Sequence, residues 1–339
     1  MINSNLYPWQ EDAWKLLNTD KQRMHHALLL RGQSGIGKLD FATNFAKSLL
    51  CNSPAADHQP CRACPSCGWF EQDNHPDFRQ ITPEQDADKD EDSSTKAKGG
   101  KKSQISVAQI RSLGDFLSLS SHQKSGVRIV LIHPAETLNK ASANALLKML
   151  EEPPADVLFI LVSHQPHKLL PTILSRCQKI DMPIPNQVEA LSWMQLAGIE
   201  NAAERLRYAG GSPLLAASQD GEGAQMSILS KELLRGRQLN VFNATSTLIG
   251  LGMENAINAL QKWTYDLMLS ASIDQVRYHV EYAVDLNRLS KMLTLDQYFL
   301  FQEKLIEAKK SAAHPLNQEL QLEALLLHYT QLFKTKNAS

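Results

Sequence analysis

Cys51, Cys61, Cys64 and Cys67 are spaced C-x9-C-x2-C-x2-C. Four thiolates within 17 positions can close a tetrahedron around zinc through short loops. All-cysteine ligation leaves no open position, which makes the predicted metal structural rather than catalytic. Packed thiolates without a metal would repel one another. The rival is an iron–sulfur cluster, because C-x2-C-x2-C also occurs in ferredoxins, but the Cys-Pro pair that should follow is absent. His58 is a neighbouring substitute ligand, whereas Cys177 is remote and unassigned.

A second chemical pattern precedes it. Gly32-Gln33-Ser34-Gly35-Ile36-Gly37-Lys38-Leu39 nearly fits G-x-x-x-x-G-K-[ST], between an apolar run and a helical pattern. Gly32, Gly35 and Gly37 would let backbone N–H groups curl around a phosphate, and Lys38 would reach its oxygens. The last position departs from the pattern, because Leu39 replaces the hydroxyl that holds magnesium. The companion acidic site is also lost. The run Val127–Ile132 should end in Asp but continues His133-Pro134-Ala135-Glu136. Imidazole is a poor magnesium ligand, proline is none, and Glu136 is three residues too far along. The pattern therefore predicts weak or absent ATP binding and no magnesium site. The bland alternative is a tight strand-to-helix turn.

A third candidate is Arg176 in Leu174-Ser175-Arg176-Cys177. Such an arginine is ordinarily a solvated surface charge. At the rim of a nucleotide-binding domain, a guanidinium can also stabilise charge on a neighbour's phosphate.

The elements that must position these groups begin with short apolar runs. Ala27–Leu30, Val127–Ile132 and Val157–Val162 suit buried parallel strands. Phe78–Ile81 and Gln178–Met182 are weaker strand candidates. Between them, Ala143, Leu146, Leu147 and Leu150 mark an amphipathic helix, with Ser142 as cap and Pro153-Pro154 as terminator. A helix over Gln165–Leu174 would be shortened or kinked by Pro171. Alternating strands and helices predict an α/β domain with a parallel sheet covered on both faces. After about Pro185 the strand signal ends. Short helices follow over 187–197 and 202–208, Gly210-Gly211-Ser212-Pro213 breaks the chain, and helical patterning resumes from about Gln225. The leucines at 320–327 read mainly as core, with an interaction helix as the alternative. Glu84–Lys102 carries six acidic residues, then mainly lysines, without a large apolar side chain, and predicts a disordered insertion across 84–104.

The 339 residues carry 35 basic and 36 acidic side chains, which excludes a uniformly basic nucleic-acid-coating protein. No membrane span is expected, and the first twenty residues lack a signal-peptide pattern. A cytoplasmic, reducing compartment is the expectation, which favours metal over disulfides for the cysteines.

Taken together, the phosphate loop, the four-cysteine insertion, Ala141-Ser142-Ala143-Asn144-Ala145-Leu146-Leu147-Lys148-Met149-Leu150-Glu151-Glu152-Pro153-Pro154 and Ser175-Arg176-Cys177 resemble the bacterial DNA polymerase III clamp-loader ATPase family. The resemblance is strong from Tyr7 to about Pro213, and the Asn-Ala-Leu-Leu-Lys-x-Leu-Glu-Glu-Pro-Pro run is its most specific part. It implies an AAA+ domain over 1–184, a helical lid over 185–222 and an all-α collar over 223–339. It also implies a pentameric ring with one delta and several tau or gamma subunits, which places a sliding clamp on primer-template DNA. Within such a ring this chain resembles the stator rather than a motor subunit. Leu214 stands where the motors carry a nucleotide-sensing arginine, and Arg176 would be a finger positioned by Ser175 and Cys177. Gly37-Lys38 is better preserved than a stator needs, so residual nucleotide binding stays open. Polymerase chemistry falls to partners, because no two-metal carboxylate constellation stands out.

Two rivals have different requirements. A motor-type subunit needs magnesium-dependent hydrolysis, against which Leu39 and His133 speak. A zinc-dependent nucleic-acid module needs a basic face beside the cysteines, yet Glu71, Asp73 and Asp77 lie there.

Overall fold

The apolar runs form strands in the computed structural model, which describes residues 6–19, 24–83, 104–118, 126–218, 222–311 and 317–334. The strands are β1 (Ala27–Arg31), β2 (Phe78–Ile81), β3 (Arg128–Ile132), β4 (Val157–Ser163) and β5 (Gln178–Asp181). They form one parallel sheet in the order β2-β3-β4-β1-β5. Side chains alternate between its faces, as the pleat requires. Leu28, Leu30, Ile129, Leu131, Leu158, Ile160 and Val162 join one core; Ala27, Leu29, Val130, Ile132, Val157, Phe159 and Leu161 join the other.

Both cores are covered by helices. The helices of this region are α1 (Glu11–Thr19), α2 (Lys38–Leu50), α3 (Pro65–Glu71), α4 (Val107–Arg111), α5 (Leu113–Ser118), α6 (Lys140–Glu151), α7 (Pro171–Arg176) and α8 (Gln187–Leu196). Trp14, Phe41 and Phe45 of α1 and α2 fill one side; Ile110, Phe116, Leu146 and Ile173 of α4–α7 fill the other. The chain is thus an α/β protein with a parallel sheet between helical layers, continued by a largely helical region.

Two local expectations are corrected. Helix α6 is capped by Asn139, whose side chain accepts the Ser142 N–H at 2.9 Å; Ser142 lies inside the helix. The expected helix over Gln165–Leu174 is instead a short 3-10 turn at Pro166–Lys168 followed by α7. Pro171 starts α7 rather than kinking it, because its fixed φ and missing N–H suit the first helical position.

The remaining helices are α9 (Ala202–Tyr208), α10 (Pro213–Ser218), α11 (Glu222–Leu233), α12 (Val241–Leu251), α13 (Met253–Ile273), α14 (Ala283–Ser290), α15 (Leu295–Ser311) and α16 (Gln318–Thr330). The chain divides into two compact units, Met1–Ala202 with Gly211–Leu215 and Ala203–Gly210 with Ala216–Ser339. The second has its own core around Trp263, Leu260, Phe301 and Tyr329. There Trp263 Nε1 donates to Tyr329 Oη at 2.8 Å, and that hydroxyl donates to Leu233 O at 2.7 Å. Leu322, Leu325 and Leu326 are buried in this core, while Leu320 and Leu327 are exposed. Residues 84–103 of the expected disordered insertion lie outside the described residues. No described helix is long and apolar enough to cross a membrane.

Candidate functional site

The phosphate-type loop leaves the carboxyl end of β1, where open parallel sheets place ligands. Gly35 and Gly37 have φ of +76° and +80°, backbone that side chains with a Cβ rarely adopt. Their bareness also admits close neighbours. A Cβ on Gly37 would fall 2.4 Å from the Tyr7 ring, and one on Gly35 would fall 2.6 Å from Leu215 Cβ.

The loop is covered by its own chain. Trp9 Nε1 and Gln10 Nε2 each donate to Ile36 O at 3.0 Å, and Gln10 also donates to Gly37 O at 2.8 Å. The Leu214 N–H donates to Gly35 O at 3.0 Å. Lys38 is 2% exposed, and its Nζ turns back to donate to Gly32 O at 2.7 Å and to Gln33 O. Burial pushes the Lys38 ammonium down to about 8, against the opposing pull of Glu136. The predicted loop residues Gly32, Gly35, Gly37 and Lys38 are therefore together, but the lysine satisfies loop carbonyls. Leu39 packs against the core.

The strand ends beside the loop carry imidazoles. His133 follows β3 and His164 follows β4, with Nε2 atoms 3.2 Å apart. Burial lowers both, His164 to about 4, so both rings are neutral near pH 7. Glu136 accepts the His164 N–H on both oxygens, at 3.0 and 3.3 Å. Its carboxylate therefore braces the segment that follows β4. His164, Tyr7 and Gln10 escaped the sequence reading. A polar residue directly after an apolar strand was the signal for His164; the other two act across the fold.

The cysteine sulfurs of Cys51, Cys61, Cys64 and Cys67 lie within 4.8 Å of one another. Cys51 ends α2, Cys64 caps α3 and Cys67 lies within α3. Zinc–sulfur bonds of about 2.3 Å in a tetrahedron require sulfurs about 3.8 Å apart. Cys51–Cys67 and Cys51–Cys64 are 3.8 and 3.9 Å. The Cys61 N–H also donates to Cys51 Sγ at 3.3 Å, as thiolate ligands favour. Burial raises Cys64, but N–H donors from Cys67 and Asn52 and thiol bonds to Cys67 and Cys61 outweigh it and bring Cys64 down to about 6. These four residues can hold a metal ion such as zinc. His58 is not part of the set.

Beside them, Ser66, His75 and Asp77 imitate a hydrolytic triad but are wired otherwise. The Asp77 N–H donates to His75 Nδ1 at 3.1 Å, which places the ring proton on Nε2, 2.9 Å from Ser66 Oγ. The Ser66 hydroxyl donates to Leu50 O at 2.6 Å. Histidine is thus the donor to serine and cannot take its proton. The network ties the cysteine segment to the sheet edge.

Arg176 lies at the opposite edge of the sheet. It ends α7 just before β5, and Gln178 pairs with Leu28 of β1. Gly32 is four residues further along β1, about 13 Å at 3.3 Å per residue. Arg176 therefore does not belong to the loop of its own chain. Its Nη2 is 2.7 Å from Glu151 Oε1, and its Nη1 donates to Thr172 O at 3.0 Å. Ser175 Oγ also donates to Thr172 O, and Cys177 is buried, its thiol pushed up to about 11 by burial.

Residues 9–186 match the family model described as DNA polymerase III, delta subunit. The DNA polymerase III subunit delta' of Pseudomonas aeruginosa is 33% identical, across 97% of this chain and 98% of that protein. The subunit delta' of Yersinia pestis is 32% identical, across 98% and 97%. Among solved structures, a DNA polymerase III gamma subunit-related protein of Thermotoga maritima aligns at 18% identity and TM-score 0.44, across 95% of this chain and 99% of that one. The chain belongs to the DNA polymerase III delta' subunit family of clamp-loader components.

Proposed function

We propose that this chain is the non-hydrolysing stator of a DNA polymerase III clamp loader, and that it lends Arg176 to the ATP site of a neighbouring subunit. The observation that carries the reading is the phosphate loop, whose metal-holding positions are Leu39 and His133. The separation of Arg176 from the loop of its own chain supports a role toward another molecule's triphosphate.

In this reading residues 1–184 form the AAA+ domain, 185–222 the lid and 223–339 the collar. Delta and tau or gamma subunits complete a pentameric ring around primer-template DNA, and the ring opens and places the sliding clamp. A structural zinc ion held by Cys51, Cys61, Cys64 and Cys67 supports the segment after α2. Nucleotide binding at Lys38 is weak or absent, without magnesium. The site of action is the cytoplasm, and DNA contacts run through backbone amides tracking phosphates.

Two assays on purified material test the reading. The lone chain should hydrolyse no ATP above background with magnesium present. In the reconstituted loader, Arg176→Ala should depress turnover at the contacted site by about 10³–10⁵, as in other arginine-finger systems. Brisk hydrolysis by the lone chain would instead favour the motor-type reading.

A further inference from the structure

Arg176 is already occupied within its own chain. Its Nη2 lies 2.7 Å from the Glu151 carboxylate and its Nη1 donates to Thr172 O. Glu151 is the last residue of α6. A carboxylate is disfavoured there, because helix C-termini carry partial negative charge, and Glu152 follows at the cap. A cation is what that helix end needs, and Arg176 supplies it from 25 positions away.

The pair is half-exposed, with side-chain exposures of 34% for Arg176 and 49% for Glu151. Ion pairs in such settings are weak and exchangeable. A guanidinium has five N–H donors arranged for forked acceptors, and a polyphosphate offers more charge than one carboxylate. A triphosphate presented by a neighbour would therefore displace Glu151.

We propose that Glu151 is a latch on Arg176: it holds the guanidinium on α6 until a neighbouring subunit presents a nucleoside triphosphate. This rests on the reading that Arg176 acts in trans. Glu151 is a positioning residue that competes with the triphosphate for the arginine. Its effect belongs to the idle loader, and clamp and DNA, by closing the ring, overcome it.

The test uses the reconstituted loader with Glu151→Gln, Arg176→Ala and the double variant. Steady-state ATPase is read without and with clamp and primed DNA, and thermal midpoints confirm folding. Glu151→Gln should raise the idle rate about two- to fivefold, the range expected for loss of an exposed ion pair. The stimulated rate should stay near wild type, so the stimulation ratio falls. The idle rise should vanish in the double variant. An unchanged idle rate, a fall in both rates, or a rise that survives Arg176→Ala would each overturn the latch. If Arg176→Ala alone changes nothing, the trans-acting reading fails and the latch with it. If Arg176→Ala is damaging and Glu151→Gln is silent, only the latch fails.

Discussion

Arg128 and Asp266 show how single buried charges are held. Arg128 is 5% exposed, and its Nη1 donates to Phe116 O and Leu117 O at 2.9 and 2.8 Å. Its Nε stands 3.9 Å from the fully buried Asp77 carboxylate. Arg128→Ala would remove a buried counter-charge beside Asp77 and the donor to two carbonyls, and should cost about 3–5 kcal/mol in denaturant unfolding. A cost under 1 kcal/mol would show that Asp77 finds other compensation. Asp266 is also fully buried. Desolvation alone would raise its carboxyl, but His279 and the N–H groups of residues 277–279 hold it below the ordinary range. A depressed folded pKa means stability that is present above the unfolded value and lost as pH falls through the folded one. Unfolding free energy should therefore drop below about pH 4, the unfolded carboxyl range. Asp266→Asn should be less stable at pH 7 and show a flatter acid limb; an identical acid limb would assign the loss elsewhere.

At the scale of elements, the cysteine segment is short, with Cys51 at the end of α2, Cys64 and Cys67 at the start of α3 and Cys61 in the loop between them. With few apolar side chains of its own, it should depend on the metal for shape. Metal analysis of the purified chain should find one zinc, and Cys64→Ser should lose it and lower the thermal midpoint. Iron with visible absorption would point to the cluster alternative. The strands were legible because β1, β3 and β4 are buried on both faces and read as unbroken apolar runs. The edge strands β2 and β5, largely exposed, gave weaker patterns, of the right extent for β2 and one residue too long for β5. The start of α7 was misread because Pro171 can break a helix or begin one, and sequence spacing does not distinguish the two. The cysteine ligands and loop glycines were legible because their chemistry is local. The Arg176–Glu151 pair, the inward turn of Lys38 and the Trp9–Gln10 cover were not, because each joins residues that only the tertiary fold brings together.

At the scale of the whole molecule, the sheet separates two candidate sites. The phosphate-type loop leaves the carboxyl end of β1, and Arg176 lies before the amino end of β5, paired with Glu151. On the proposed reading, a subunit built this way would contribute to ATP turnover without a nucleotide cycle of its own. The direct comparison is DNA-stimulated ATPase of the reconstituted loader with Lys38→Ala against Arg176→Ala in this subunit, both with wild-type ring assembly. The stator account predicts turnover within about twofold of wild type for Lys38→Ala and a collapse at the neighbouring site for Arg176→Ala. Loss of turnover with Lys38→Ala and none with Arg176→Ala would contradict it.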